Sequence, residues 1–101
     1  MAISGMVSLS YIIENKEKIR EMALAHKFSR IKVFGSVARG QETAESDVDF
    51  VVDPNDDANL FDLGGLVSDL EDFLGTPTDV ISSRSLGKKI REHIERDGIE
   101  L

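Results

Sequence analysis

The residues best suited to chemistry are three aspartates and a glycine-serine turn. In Ser46-Asp47-Val48-Asp49-Phe50 two acids stand two apart within a run of β-type residues. Side chains at i and i+2 of a strand share a face, which sets Asp47 beside Asp49 and turns Val48 and Phe50 toward the core. Two carboxylates ~6 Å apart at an effective dielectric of ~20 repel by ~3 kcal/mol, so folding alone does not favour the arrangement. A divalent cation that prefers oxygen ligands, Mg²⁺ above all, reverses the sign of that energy. Asp79, in Pro77-Thr78-Asp79-Val80-Ile81, is a carboxylate in an apolar strand, costly unless paired or coordinated. On a strand next to Asp49 it completes a three-carboxylate pocket.

Gly35-Ser36 closes another β-type run and continues as Val37-Ala38-Arg39-Gly40. Glycine lets the backbone come close to a ligand, and exposed amides with the Ser36 hydroxyl can donate to phosphate oxygens. A helical turn opening at residue 36 would add the pull of its N-terminus on an anion. The segment is not a Walker loop. Singly, these features have plainer readings: a capped strand-to-helix turn, a solvated acidic strand end, an exposed strand position. Their spacing decides. Gly-Ser, ten residues, then Asp-x-Asp falls into register by chance in roughly one chain of this length in a thousand.

Several elements must position these groups. Ser8 or Ser10 can cap a first helix whose apolar stripe is Leu9, Ile12, Ile13, Ile19 and Ala23. Ile31 to Phe34 reads as a strand entering the Gly35 turn, and Val48 to Val52 as a second strand stopped by Pro54-Asn55. Asn59 caps a helix carrying Leu63, Leu66, Val67, Leu70 and Phe73, and Gly75 stops it. Gly64-Gly65 weakens that helix by roughly 1 kcal/mol per glycine, which points to close packing there. Asp79 to Ser82 is a third strand. Ser85 then caps a last helix with Leu86, Ile90 and Ile94, ended by Gly98, and Ile99 to Leu101 adds a short edge strand. Strands alternating with helices indicate an α/β or α+β fold, a mixed sheet with helices packed on it. The spacing predicts one domain over residues 1–101.

Composition limits the partners. The chain has 101 residues with 12 Lys and Arg against 19 Asp and Glu, a net charge of -7. That surface repels a polyanion, so long nucleic acid is not expected as the main substrate, whereas a free nucleotide arriving with Mg²⁺ fits. Cysteine is absent, which removes disulfides and thiolate metal sites. No apolar stretch is long enough to cross a bilayer, and no secretory leader is evident, so a cytoplasmic location is expected. His26 and His93 lack matching ligand partners and read as surface or packing residues. Tyr11 and Phe28 read as core or interface, and Lys88, Lys89 and Arg91 as a solvated helix face.

The Gly35-Ser36 and Asp47-x-Asp49 signature, with Ala38-Arg39-Gly40, Ser46 and Asp79, resembles that of the DNA polymerase β-like nucleotidyltransferase superfamily. Over nearly the whole chain it is most similar to the minimal nucleotidyltransferases, the MntA-like antitoxins found beside HEPN-domain toxins. The resemblance implies a bare catalytic palm, ATP as donor, two Mg²⁺ ions and adenylylation of a tyrosine on a HEPN-family toxin partner. It also implies that Gly35 and Ser36 hold the triphosphate, that Asp47 and Asp49 bind both metals, and that Asp79 binds the catalytic one. Val37 departs from the basic residue that many relatives carry. Arg39 remains available to a phosphate or to Asp47. Two other functions fit the same resemblance: an antitoxin that binds without catalysis, and transfer to a small-molecule acceptor.

Overall fold

The computed structural model describes residues 7–41 and 47–101. Ser46, part of the sequence signature, lies outside the described residues, as do the first six positions. The elements run α1 (Leu9–Glu14), α2 (Lys16–Ala25), β1 (Phe28–Phe34), α3 (Gly35–Ala38), β2 (Val48–Pro54), α4 (Leu60–Leu74), β3 (Thr78–Ser82), α5 (Lys88–Asp97) and β4 (Ile99–Glu100). A single 3-10 turn, Ser83–Ser85, links β3 to α5.

The predicted first helix is two helices. Ser8, not Ser10, caps α1, its side chain accepting from the Tyr11 amide at 3.1 Å. The break falls at Asn15, whose side-chain amide donates to the Tyr11 carbonyl at 2.8 Å. An Asn side chain that bonds to the preceding turn competes with the helix ladder, and the Asn15 backbone leaves helical geometry there, at φ -106° and ψ 18°. The change leaves Ile12, Ile19 and Ala23 buried but puts Ile13 at 40% exposure, outside the core. Phe28 joins the core as the first residue of β1, while Tyr11 is exposed and stacks on Phe73 with ring centres 6.5 Å apart.

Helix α4 follows its sequence signals closely. Asn59 and Asp62 form a reciprocal capping box, with bonds of 3.0 and 2.9 Å, and Gly75 ends the helix at φ +70°. Leu66, Leu70 and Leu74 are buried, with Leu63 and Phe73 packed against them. Of the two internal glycines only Gly65 is closely packed: an added Cβ would lie 2.8 Å from Cε1 of His26. His26 in turn meets Asp69 through Nε2 at 2.7 Å, tying the end of α2 to α4.

The four strands lie in the order β3-β2-β1-β4, with β1 antiparallel to both β2 and β4, and β2 parallel to β3. Ile31, Val33, Phe50 and Val52 are cross-strand partners, all buried against the helices of one face. The opposite face carries Phe34 against Asp49 and Lys32 against Val51. Helix α5 begins after Gly87 rather than at a Ser85 cap, because Ser82 accepts from the Arg84 amide at 3.3 Å and starts the 3-10 turn. Gly98 ends α5 with ordinary backbone angles; glycine is needed there for space, since a Cβ would collide with the Ile94 carbonyl. That tight turn feeds β4 onto the free edge of β1, where Arg30 and Glu100 pair at 2.6 Å. No helix among the described residues is long and apolar enough to cross a membrane.

Gly65→Ala should lower stability by about 1 kcal/mol in the parent chain, despite alanine's better helix propensity, because the methyl group meets the His26 ring. In a His26→Ala background the same change should raise stability by about 1 kcal/mol. Denaturant unfolding of the four proteins checks this; a stabilised Gly65→Ala single variant would refute the packing argument.

Candidate active site

Two aspartates meet because of strand register. In the parallel ladder of β2 and β3, Asp49 is directly opposite Asp79, and Val48 opposite Thr78. Partners in register share a face, so the side chains of Asp49 and Asp79 emerge together from the face opposite the helical core. Asp79 acts on Asp49 both through its charge and as a hydrogen-bonding neighbour. Asp49 is half-buried and Asp79 exposed. Asp47 precedes β2, is exposed, and lies within electrostatic reach of Asp49.

The environment holds a proton on Asp49 to unusually high pH. Burial pushes its carboxyl up to about 6, reinforced by the charges of Asp79 and Asp47 and by the hydrogen bond to Asp79; the positive charge of Arg39 opposes them. Burial therefore contributes most, and like-charge crowding adds to it.

The glycine turn abuts this cluster. Gly35 sits at φ +76°, a conformation that other residues rarely adopt, and a Cβ there would fall on the Asp49 carboxylate oxygen Oδ2. Both facts demand glycine. Ser36, half-buried, follows as α3 begins, and the Gln41 amide closes the segment by donating to the Ser36 carbonyl at 2.8 Å. Because α3 has only 4 residues, its dipole is slight; backbone amides and the Ser36 hydroxyl are the donors it offers an anion. Val37 is 1% exposed and anchors the turn in the core. Arg39 is exposed, donates from Nε to Gln41 at 3.1 Å, and stands 4.0 Å from Asp97.

Between this turn and α5 lies a cleft of about 270 Å³ lined by Phe34, Gly35, Arg39, Ile81, Ile90, His93 and Asp97. Sequence spacing did not gather these residues. The one legible signal is the i, i+3, i+7 spacing of Ile90, His93 and Asp97 along α5.

Residues 17–101 match the polymerase beta nucleotidyltransferase family. The chain belongs to that family. It is 32% identical over 90 residues to a candidate protein adenylyltransferase of Methanocaldococcus jannaschii, a match spanning 89% of this chain and 97% of that protein. A candidate minimal nucleotidyltransferase of known structure superimposes with a TM-score of 0.86 at 33% identity, over 97% of this chain and 100% of that one. A chain from the complex of a tri-AMPylated HEPN toxin of Shewanella oneidensis with its MNT antitoxin shares the fold, with a TM-score of 0.67, 21% identity and coverage of 87% and 69%. This nucleotidyltransferase is thus an α+β domain with a four-stranded mixed sheet, the fold of its minimal relatives.

The donor set suits a hard divalent cation. Among the described residues no three His, Cys, Asp or Glu side chains are grouped so that they could hold a metal ion together. Asp49 and Asp79 are opposed across the ladder, and Asp47 lies just before β2 with its charge felt by Asp49. All three groups present oxygen ligands, the kind that such a cation prefers. The crowding that raises Asp49 is the energy that a cation would recover.

Asp49 also sets a pH dependence. Its folded-state carboxyl, up to about 6, lies above the unfolded value of ~4, so the folded chain binds the proton more tightly. The resulting stability is fully present below pH ~4 and is lost as pH rises through about 6. In divalent-free buffer the parent should lose about 1–2 kcal/mol across that window, after allowance for solvent screening. Asp49→Asn should lose none of it and be the more stable protein at pH 7; identical pH profiles for the two would contradict this.

Proposed function

We propose that this nucleotidyltransferase moves AMP from ATP to a tyrosine hydroxyl of a HEPN-family toxin and serves as the antitoxin of that pair. The observation that carries the reading is the in-register pair Asp49–Asp79 lying against the Gly35 turn on one sheet face. Membership of a nucleotidyltransferase family supplies the reaction class. Support for adenylylation comes from the Methanocaldococcus jannaschii relative, and support for the toxin from the Shewanella oneidensis complex.

Each group then has a task. The amides of the Gly35 turn and the Ser36 hydroxyl donate to the phosphate oxygens and fix the triphosphate against the sheet. Asp47, Asp49 and Asp79 would be the carboxylates that hold Mg²⁺ here, as the two-ion chemistry of this reaction class requires. Bound ions of this kind neutralise the phosphates and activate both the entering and the leaving oxygen. Asp79 is the more exposed of the paired carboxylates, so it faces the arriving acceptor, where it can ligate or take the hydroxyl proton. The acceptor oxygen bonds to the α-phosphorus, the bond to the bridging oxygen breaks, and pyrophosphate leaves. The acidic surface, net -7, keeps nucleic acid away and suits a basic protein partner.

Labelled ATP, Mg²⁺ and the HEPN-type toxin should yield labelled toxin with the parent chain. Asp47→Asn and Asp49→Asn should each reduce transfer by about 10³-fold or more while leaving the circular dichroism spectrum unchanged. A stable complex with the toxin and no label transfer by the parent chain would overturn the enzymatic reading in favour of steric neutralisation.

A further inference from the structure

We infer that the cleft between α3 and α5 is the seat of the donor's nucleobase, and that Ile90 with Phe34 and Ile81 forms its walls. The inference rests on the adenylyl-transfer reading and adds the part of the nucleotide that the carboxylates and the glycine turn cannot hold.

Position comes first. Phe34 is the cross-strand partner of Asp49, and Ile81 lies two residues beyond Asp79 on the same strand. Both therefore emerge on the face that carries the carboxylates, and the cleft begins where the acidic pocket ends. Gly35 and Arg39 belong both to the phosphate turn and to the cleft wall. Asp47 and Asp79 do not line it. A group resting here is thus joined to the phosphates rather than brought in past the carboxylates, which argues for the donor's base and against the acceptor's ring.

Chemistry comes second. The walls are apolar, and Ile90 stays 46% exposed although it lies on the inward-facing spacing of α5. An isoleucine left uncovered beside a phosphate turn has a flat apolar ring as its natural occupant. A phosphate does not fit: the walls are apolar, and the charge of Asp97, 4.0 Å from Arg39, would repel an anion. At about 270 Å³ the cleft is below the ~300–1,000 Å³ of sites that enclose a whole small ligand, so it takes one ring system. His93 adds a polar edge: its Nδ1 accepts from Arg96 at 3.0 Å, which leaves Nε2 as the proton-bearing nitrogen that can donate to a purine ring nitrogen.

The test compares MgATP with magnesium tripolyphosphate, which carries the phosphates and no base, by calorimetric titration of the full chain. Ile90→Asn and Ile90→Trp are neutral changes at a half-exposed site, so neither alters the charge a triphosphate meets. The parent should bind MgATP about tenfold more tightly than magnesium tripolyphosphate. Both variants should bring MgATP down to the tripolyphosphate level and leave tripolyphosphate unchanged. Unaltered MgATP affinity in both variants would overturn the inference, whether the KM for the toxin rises, which would give the cleft to the acceptor, or stays the same. A parent that binds tripolyphosphate as well as MgATP would overturn it too, with phosphate binding intact. A parent that binds neither would instead defeat the adenylyl-transfer reading on which this one stands.

Discussion

The opposition of Asp49 and Asp79 across the parallel ladder of β2 and β3 is the constraint around which the rest of the fold is arranged. Hydrogen bonds between strands set the register, and the register forces two like charges onto one face regardless of their mutual repulsion. The sheet can bear this because the reverse face of the same strands is among the best-packed parts of the molecule. Val48, Phe50 and Val52 are fully buried there, with Leu66 and Leu70 of α4 in the same cluster. Apolar burial on one face thus offsets electrostatic strain on the other.

The Gly35 turn sharpens that strain. By lacking a side chain it comes up against the Asp49 carboxylate, and by adopting φ +76° it turns the chain from β1 into α3 within a single residue. The close approach removes water from Asp49, the largest contribution to its raised proton affinity. Apart from Arg39, whose charge eases Asp49 while its side chain engages Asp97 and Gln41, the turn brings no cation against the cluster. A binding site that leaves its carboxylates under-compensated holds back part of the folding energy for a ligand of opposite charge, a trade between stability and function that buried ionisable groups commonly record.

Helix α5 completes the architecture without closing it. Ile94 is buried on the second face of the sheet, whereas Ile90, one turn earlier, remains half-exposed above the cleft. A short helix held by one buried anchor and by the tight Gly98 turn covers only part of that face. The remainder, from Phe34 to Ile81, stays open next to the aspartates.

Much of this was written in local sequence. The period of two placed Asp49 and Phe50 on opposite faces of β2, with Phe50 in the core, the Asn59 and Gly75 signals bounded α4, and the spacing of Gly35-Ser36 to Asp47-x-Asp49 named the superfamily. These succeed because side-chain alternation, capping and turn conformation depend on residues a few positions apart. Other features needed the assembled chain. Asn15 splits the first helix through a bond to the preceding turn, Ser82 moves the start of α5 past Ser85, and Gly65 is required by a histidine 39 positions away in the sequence. Above all, the register that puts Asp79 against Asp49 and the cleft that joins β1, β3 and α5 arise from strand pairing and helix docking between distant segments. No local pattern encodes them, because the hydrogen bonds and packing that decide them exist only once those segments meet.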